Sequence, residues 1–316
     1  MINATPPDSI SLCGEQTSKT PARRRRTTDL IETALGLEDD DADVCNGFGC
    51  LARTLAQATL PHSDPKLPPG TLYTRNTGLL TLTVAPTSLL YGIPFGSIPR
   101  VILAWICTEA KLTNSPVLSL GRSQAAFMRQ LGLYSNGRYI ALFREQAMRL
   151  FGAVISVAYT DRKHADSSMR FLISDQSHVF WSARSPEQTT LWESTLSLSD
   201  GFFREIMAAP VPIKIPVLHA LSKSPFAMDI YAWLTYRMFV LARSKRPSVF
   251  IPWQNLHSQF GTSYPPTEKG IQNFKVNFLL RAKDVYPFYP EARQHVTPTT
   301  EGLLLTPAPP HIKDKR

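Results

Sequence analysis

Cysteine is scarce in this sequence. Four occur among 316 residues, too few to staple a chain of this length, so a reducing, cytoplasmic setting is expected. Long apolar runs are missing too. The longest stretch without a charge, between Arg75 and Arg100, is broken by Pro86, Pro94 and Pro99, whereas a spanning helix needs about 20 apolar residues. No membrane partner is expected. Met1 is followed by polar residues and Asp8, so no secretory leader is expected either. Glycine (16) and proline (26) stay well short of the roughly one quarter that marks disordered or collagen-like chains.

Several chemistries lack their residues. No Gly-Lys dipeptide occurs, which removes the loop that cradles nucleotide phosphates. None of the seven histidines forms a His-x-His or His-Glu-x-x-His pair, the spacing a zinc hydrolase or a metal-dependent nicking enzyme needs. Cys45 and Cys50 have no second pair. Asp39, Asp41 and Asp43 imitate the start of a calcium loop, but Val44 stands where glycine is required and Cys50 where glutamate is. The expectation is a protein without enzymatic activity, cofactor or metal.

What is present is positive charge, unevenly placed. The net charge is +9 with a pI near 9.5. Residues 1–70 hold 7 basic and 10 acidic side chains, and residues 71–316 hold 27 and 15. A body at +12 behind a front at −3 points to a polyanionic partner, nucleic acid ahead of an anionic membrane. The front end carries Arg23–Arg26, then the acidic run Glu38–Asp41, then a proline-rich exit. Opposed charge blocks with few aromatics predict a disordered arm over 1–70.

From residue 71 the pattern becomes regular. It predicts strand over 72–84, a buried helix over 98–112, a short strand at 117–120 and a short helix over 123–131 that stops at Gly132. A longer helix follows over 138–151, then strands near 153–160 and 168–174 around the tip Arg162–Lys163–His164. The order recurs: a helix over 225–242, a strand at 249–251, a short helix over 253–260 stopping at Gly261, a long helix over 267–285 and a hairpin over 292–305. Trp105 precedes Gly132 as Trp233 precedes Gly261. This predicts an α+β chain of tandem winged-helix (helix-turn-helix) domains, each with a second helix for the major groove and a flanking hairpin. The expected division is a 1–70 arm, a 71–212 N-terminal domain, a 213–306 C-terminal domain and a 307–316 tail.

Helical stripes select the DNA-binding candidates. Steps of 100° put Ile140, Phe143, Ala147 and Phe151 inward, and Arg138, Glu145 and Arg149 outward with Gln146 nearby. Arg144 falls at the apolar edge and is expected to be structural. Arg162 and Lys163 complete a basic wing. On the second long helix Ile271, Phe274, Phe278 and Ala282 face inward. Lys269, Gln272, Asn273 and Lys283 face away, with Lys275 near the edge. Gln and Asn can bond both N6 and N7 of adenine, and these two stand at the end of the helix that reads bases.

The segments AWICTEA (104–110), LSLGRSQAAFMRQLGL (118–133), FREQAMRLFGAVISV (143–157), SPFAMDIYAWLTYR (224–237), IPWQNLHSQFGTSY (251–264) and GLLLTPAPP (302–310) resemble the plasmid-encoded replication initiators of the RepA C-terminal type. The resemblance spans roughly residues 98–310 and does not reach 1–70. It implies a non-enzymatic initiator that binds repeated sites in double-stranded plasmid origin DNA, helps open an adjacent A·T-rich stretch and engages the host replicative helicase and initiator proteins. It also implies a C-terminal domain that reads the repeat, and an N-terminal domain that adds backbone contacts and carries a homodimer surface. The turn Ser135-Asn136-Gly137-Arg138 is less basic than that family leads one to expect. Two alternatives are a transcriptional repressor with no replication role and a nicking initiator with a tyrosine nucleophile; the missing histidine pair disfavours the second.

Overall fold

The computed structural model describes residues 21–39 and 48–312, apart from 58, 78–79, 88–90, 135, 160–166, 183–184, 191–192, 209, 245 and 262. Helix α1 (Pro21–Asp39) comes first, then strand β1 (Phe48–Ala52), helix α2 (Arg53–Gln57), and strands β2 (Tyr73–Asn76) and β3 (Leu80–Pro86). The first large unit then runs through α3 (Ser97–Thr113), β4 (Val117–Gly121), α4 (Gln124–Gln130), α5 (Gly137–Phe151), β5 (Ala153–Tyr159), β6 (Ser167–Leu172), β7 (Ser174–His178) and β8 (Ser194–Leu198). Helix α6 (Asp200–Ala208), strand β9 (Pro210–Lys214) and helix α7 (Ile215–Ala220) connect to the second. That unit comprises α8 (Pro225–Arg243), β10 (Val249–Pro252), α9 (Trp253–Phe260), α10 (Glu268–Val285), α11 (Pro290–Gln294), β11 (Val296–Pro298) and β12 (Gly302–Leu305).

Helix starts follow local chemistry. Ser123, Asn136, Ser224 and Thr267 each accept a backbone N–H of the first turn of α4, α5, α8 and α10, satisfying a donor that has no partner within the helix. Gly132, at φ 66°, ends the α4 turn in a conformation that disfavours residues with a Cβ. The helices bury apolar faces in one continuous core that includes Ile102, Ile106, Phe127, Phe143, Trp233, Phe274 and Phe278.

The repeated unit is built differently from what the spacing predicts. In the second unit the strand order is β10-β12-β11, so the final hairpin pairs back onto the strand that precedes the two helices. The matching order in the first unit is β4-β8-β7. The equivalent hairpin there is therefore β7–β8, with its connection over 179–193, and not the one around Arg162 and Lys163. Strands β5 and β6 instead extend β2 and β3 into a four-stranded antiparallel sheet.

The front end also departs from the expected arm. Strand β1 pairs antiparallel with β9, Phe48 opposite Lys214 through Ala52 opposite Pro210. Leu51, Ala52, Leu55, Ala56 and Leu60 are buried. Residues 48–60 carry a single charge, Arg53, so averaging over 1–70 conceals an apolar segment that the core needs. The expected tail is packed as well: the Tyr289 hydroxyl donates to the Pro309 carbonyl at 2.7 Å, and the His311 ring lies 4.6 Å from that of Tyr289.

Buried ions join the two units. Arg100 on α3 donates from Nε and Nη2 to the two carboxylate oxygens of Asp229 on α8, at 2.7 and 2.6 Å. Its remaining donors reach the carbonyls of Leu60, Pro61 and Gly96. His62 meets the same carboxylate at 2.8 Å. Burial alone would raise the Asp229 pKa, but Arg100 and His62 outweigh it and hold it at about 2. Arg75 on β2 makes a second tie, donating to the Gln259 carbonyl at the end of α9 and to the Tyr73 hydroxyl, both at 2.8 Å.

His62 is held below its ordinary 6.5 because burial disfavours the imidazolium more than the Asp229 hydrogen bond favours it. Below pH 6.5 the unfolded chain takes up a proton that the folded chain resists, so this contribution to stability is complete above 6.5 and declines beneath it. Urea midpoints measured from pH 7.5 to 5.5 should fall, and His62→Gln should flatten part of that decline. An unchanged pH slope in the variant would contradict the assignment.

Candidate nucleic-acid interface

Helix α10 begins where Thr267 accepts the Gly270 N–H at 3.2 Å. Gly270 is required by contact: a Cβ there would lie 2.0 Å from the Pro265 carbonyl oxygen. The turn after α9 thus lies directly against the first turn of α10 and fixes its direction. Phe274, Phe278, Ala282 and Val285 point into the core, where the Phe278 ring lies 5.9 to 6.1 Å from those of Phe226, Trp233, Trp253 and Phe260.

The opposite stripe is open. Lys269, Gln272, Asn273 and Lys283 are exposed, as the sequence predicts. Val276 shares the stripe at 59 % exposure. Its spacing of three and four from Asn273 and Gln272 is the signal that marks it, and an exposed methyl pair beside two amides is suited to a thymine methyl. Lys275 is half-buried; its ammonium donates to the Thr300 carbonyl at 3.3 Å and lies 5.3 Å from the centre of the Trp253 ring. That contact ties α10 to the β11–β12 turn. Between them opens a cleft of about 940 Å³ lined by Phe250, Gln254, Lys269, Gln272, Lys275 and Thr300.

The first unit offers much less. Asn136 accepts the Tyr139 N–H at 3.0 Å to start α5, and Arg138 is exposed on its first turn, beside Ala141, Leu142 and Glu145. Gln146 and Arg149 are corrections. Gln146 is buried, its Oε1 accepting the Phe95 N–H at 2.9 Å. Arg149 donates to the Ile93 carbonyl at 3.0 Å and to Glu145 at 2.6 Å, with its guanidinium 5.2 Å from the Phe95 ring. The chain at 91–96 lies across this flank of α5, and its backbone groups take the two side chains that a bare helix would present to solvent. Arg144 is structural, donating to the Trp181 carbonyl at 3.0 Å. Arg162 and Lys163 lie outside the described residues.

The connection between β7 and β8 folds onto its own helices. The Pro186 carbonyl accepts the Ala125 N–H at 3.1 Å, Arg129 pairs with Glu187 at 3.2 Å, and the Trp181 ring lies against Phe127 and Phe143. Its three charged side chains are Arg184, Glu187 and Glu193, so it has no basic surplus.

A family model described as plasmid encoded RepA protein matches residues 93–255. The chain belongs to this RepA family. The match runs from the segment before α3 to the start of α9, so it covers the join between the two units and stops short of α10. The reading of α10 therefore rests on its geometry. No curated relative matches the sequence.

Among solved structures this RepA-family chain is similar to a crystal structure of domains 2 and 3 of RctB, at 9 % identity and TM-score 0.50, covering 82 % of this chain and 98 % of that one. A second structure of the same RctB domains aligns at 11 % identity and TM-score 0.45, over 78 % and 84 %. At such identities the first likeness speaks for the fold alone: a mixed chain of helices and small antiparallel sheets. Among the described residues no helix is long and apolar enough to cross a membrane.

Proposed function

We propose that this chain is a plasmid replication initiator made of two winged-helix units. The C-terminal unit reads repeated sites in duplex origin DNA through α10. The observation that carries this reading is the exposed stripe Lys269–Gln272–Asn273–Val276 at the N-terminal half of α10, beside a three-stranded hairpin sheet, in a chain of the RepA family. A cation for phosphate, two amides for adenine and a methyl pair for thymine are the chemistries that sequence-specific readout uses.

The remaining assignments extend the resemblance to replication initiators. The initiator opens an adjacent A·T-rich stretch, engages the host replicative helicase and initiator proteins, and acts without catalysis or cofactor. The N-terminal unit adds backbone contacts and carries the dimer surface. Its α5 presents one exposed cation, Arg138, which supports backbone contact rather than base reading.

Lys269→Ala should weaken binding to cognate and random duplexes alike and flatten the salt dependence by about one unit. Salt titrations by fluorescence anisotropy give both numbers. The function itself is tested by transformation: the gene with its flanking DNA should maintain a plasmid that has no other initiator. Specific binding without plasmid maintenance in the native host would favour the repressor reading.

A further inference from the structure

The cleft between α10 and the β11–β12 turn holds two carboxylates beside its cations and its amide. Glu268 stands on one wall and Glu301 on the other. Both residues are exposed, and among the described residues neither carboxylate has an ion-pair or hydrogen-bond partner. The turn that presents Glu301 is held at three successive carbonyls. Trp253 donates its indole N–H to the Thr299 carbonyl at 3.1 Å and its backbone N–H to that of Glu301 at 2.9 Å, and the Lys275 ammonium donates to that of Thr300 at 3.3 Å. The wall facing α10 therefore keeps its place, and with it a negative charge.

On α10, Glu268, Gln272 and Lys275 follow at spacings of four and three, within an arc of about 60° at about 100° per residue. Lys275 is engaged with Thr300 and the Trp253 ring. This stripe thus offers the cleft one free carboxylate and one amide, about 6 Å apart along the axis. With Lys269 included, the charged groups lining the cleft are two lysines and two glutamates, so it has no net charge to draw in phosphate.

A carboxylate beside a polyanion is repelled unless it accepts a hydrogen bond from it. In the major groove the amino donors are adenine N6 and cytosine N4. Adenine sets the acceptor N7 beside its amino group; an amide satisfies both, whereas a carboxylate meets N7 with a second lone pair. Cytosine offers the amino group without that acceptor. An amide therefore fits adenine, and a carboxylate fits cytosine.

We propose that Glu268 is a specificity-determining residue, accepting a hydrogen bond from the N4 amino group of a cytosine near the base that Gln272 contacts. This inference rests on α10 being the reading helix. Glu301, fixed on the facing wall, repels phosphate, so that a base edge is what the cleft admits. The acidic residue that opens α10 thus has a task beyond its favourable place at a helix N-terminus.

The test titrates the full-length chain by anisotropy against the origin repeat and a set of duplexes in which each base pair of the repeat is replaced in turn. The parent should favour cytosine at one position by at least about fivefold, the lower end for a base-edge contact. Glu268→Ala should lose that preference and keep the others, while its affinity for a random duplex holds or rises because a repelled charge is gone. Glu268→Gln should shift the preference at the same position from cytosine toward adenine. A purely structural role would instead lower affinity for every duplex by a common factor, and that result overturns the proposal. So does a Glu268→Ala variant that discriminates at every position as the parent does, while Gln272→Ala with Asn273→Ala relaxes the preference; α10 then remains the reading helix. If neither variant alters discrimination, both readings fall.

Discussion

Replacing Asp229 with alanine is expected to destabilise the fold by about 3–5 kcal/mol, the range for removing one partner of a buried ion pair. The loss arises less from the missing attraction than from what remains. Arg100 has its guanidinium enclosed at the join of α3 and α8, and three backbone carbonyls satisfy its hydrogen bonds without neutralising its charge. A double variant, Arg100→Met with Asp229→Leu, should lose less than the sum of the two single changes, since no buried charge is left over. Urea unfolding of the three variants measures this. Additive losses would show that the two side chains do not act as a pair. The same junction determines how the two units sit relative to one another, so the single variants should also weaken binding at any site that spans both.

Phe278→Ala should lose about 3–5 kcal/mol, the usual range for truncating a fully buried aromatic. The ring is 1 % exposed and sits among four other aromatic rings of α8 and α9 as well as Phe274 on its own helix. It fixes α10 against the rest of its unit, so the variant should bind DNA more weakly even where it stays folded. Phe278→Leu, which keeps more of the volume, should lose clearly less. A loss below about 1 kcal/mol for the alanine variant would mean that α10 is not held by this cluster.

The sequence reading succeeded where structure is local. Capping residues, glycine stops and the 3.6-residue period located α3, α4, α5, α8, α9 and α10 to within a few residues. It failed where pairing is distant. Strand β1 has five residues and finds its partner β9 about 160 positions later, a pairing that no local pattern reveals. The hairpin β7–β8 is hidden because a long connection separates its strands, whereas β5–β6, in tighter sequence register, invites the mistake of taking it for the equivalent hairpin. The same distinction divides the site. Lys269, Gln272 and Asn273 are exposed because nothing crosses that face of α10. Gln146 and Arg149 lie on an equally polar stripe of α5, but residues 91–96 cover it, and a helical projection carries no information about what packs on top. Val276 shares the stripe by its spacing, but an apolar side chain has neither charge nor amide to mark it as a DNA contact.

The central claim is that α10 reads the bases of a duplex site. It is tested most directly by the ratio of affinities for an origin repeat and a scrambled duplex, measured at one salt concentration for the parent and for Gln272→Ala with Asn273→Ala. Each amide that bonds a base bidentately is worth about 1–3 kcal/mol of discrimination, so the double variant should lose at least about tenfold in that ratio while retaining its affinity for the scrambled duplex. A double variant as selective as the parent would show that base recognition lies elsewhere.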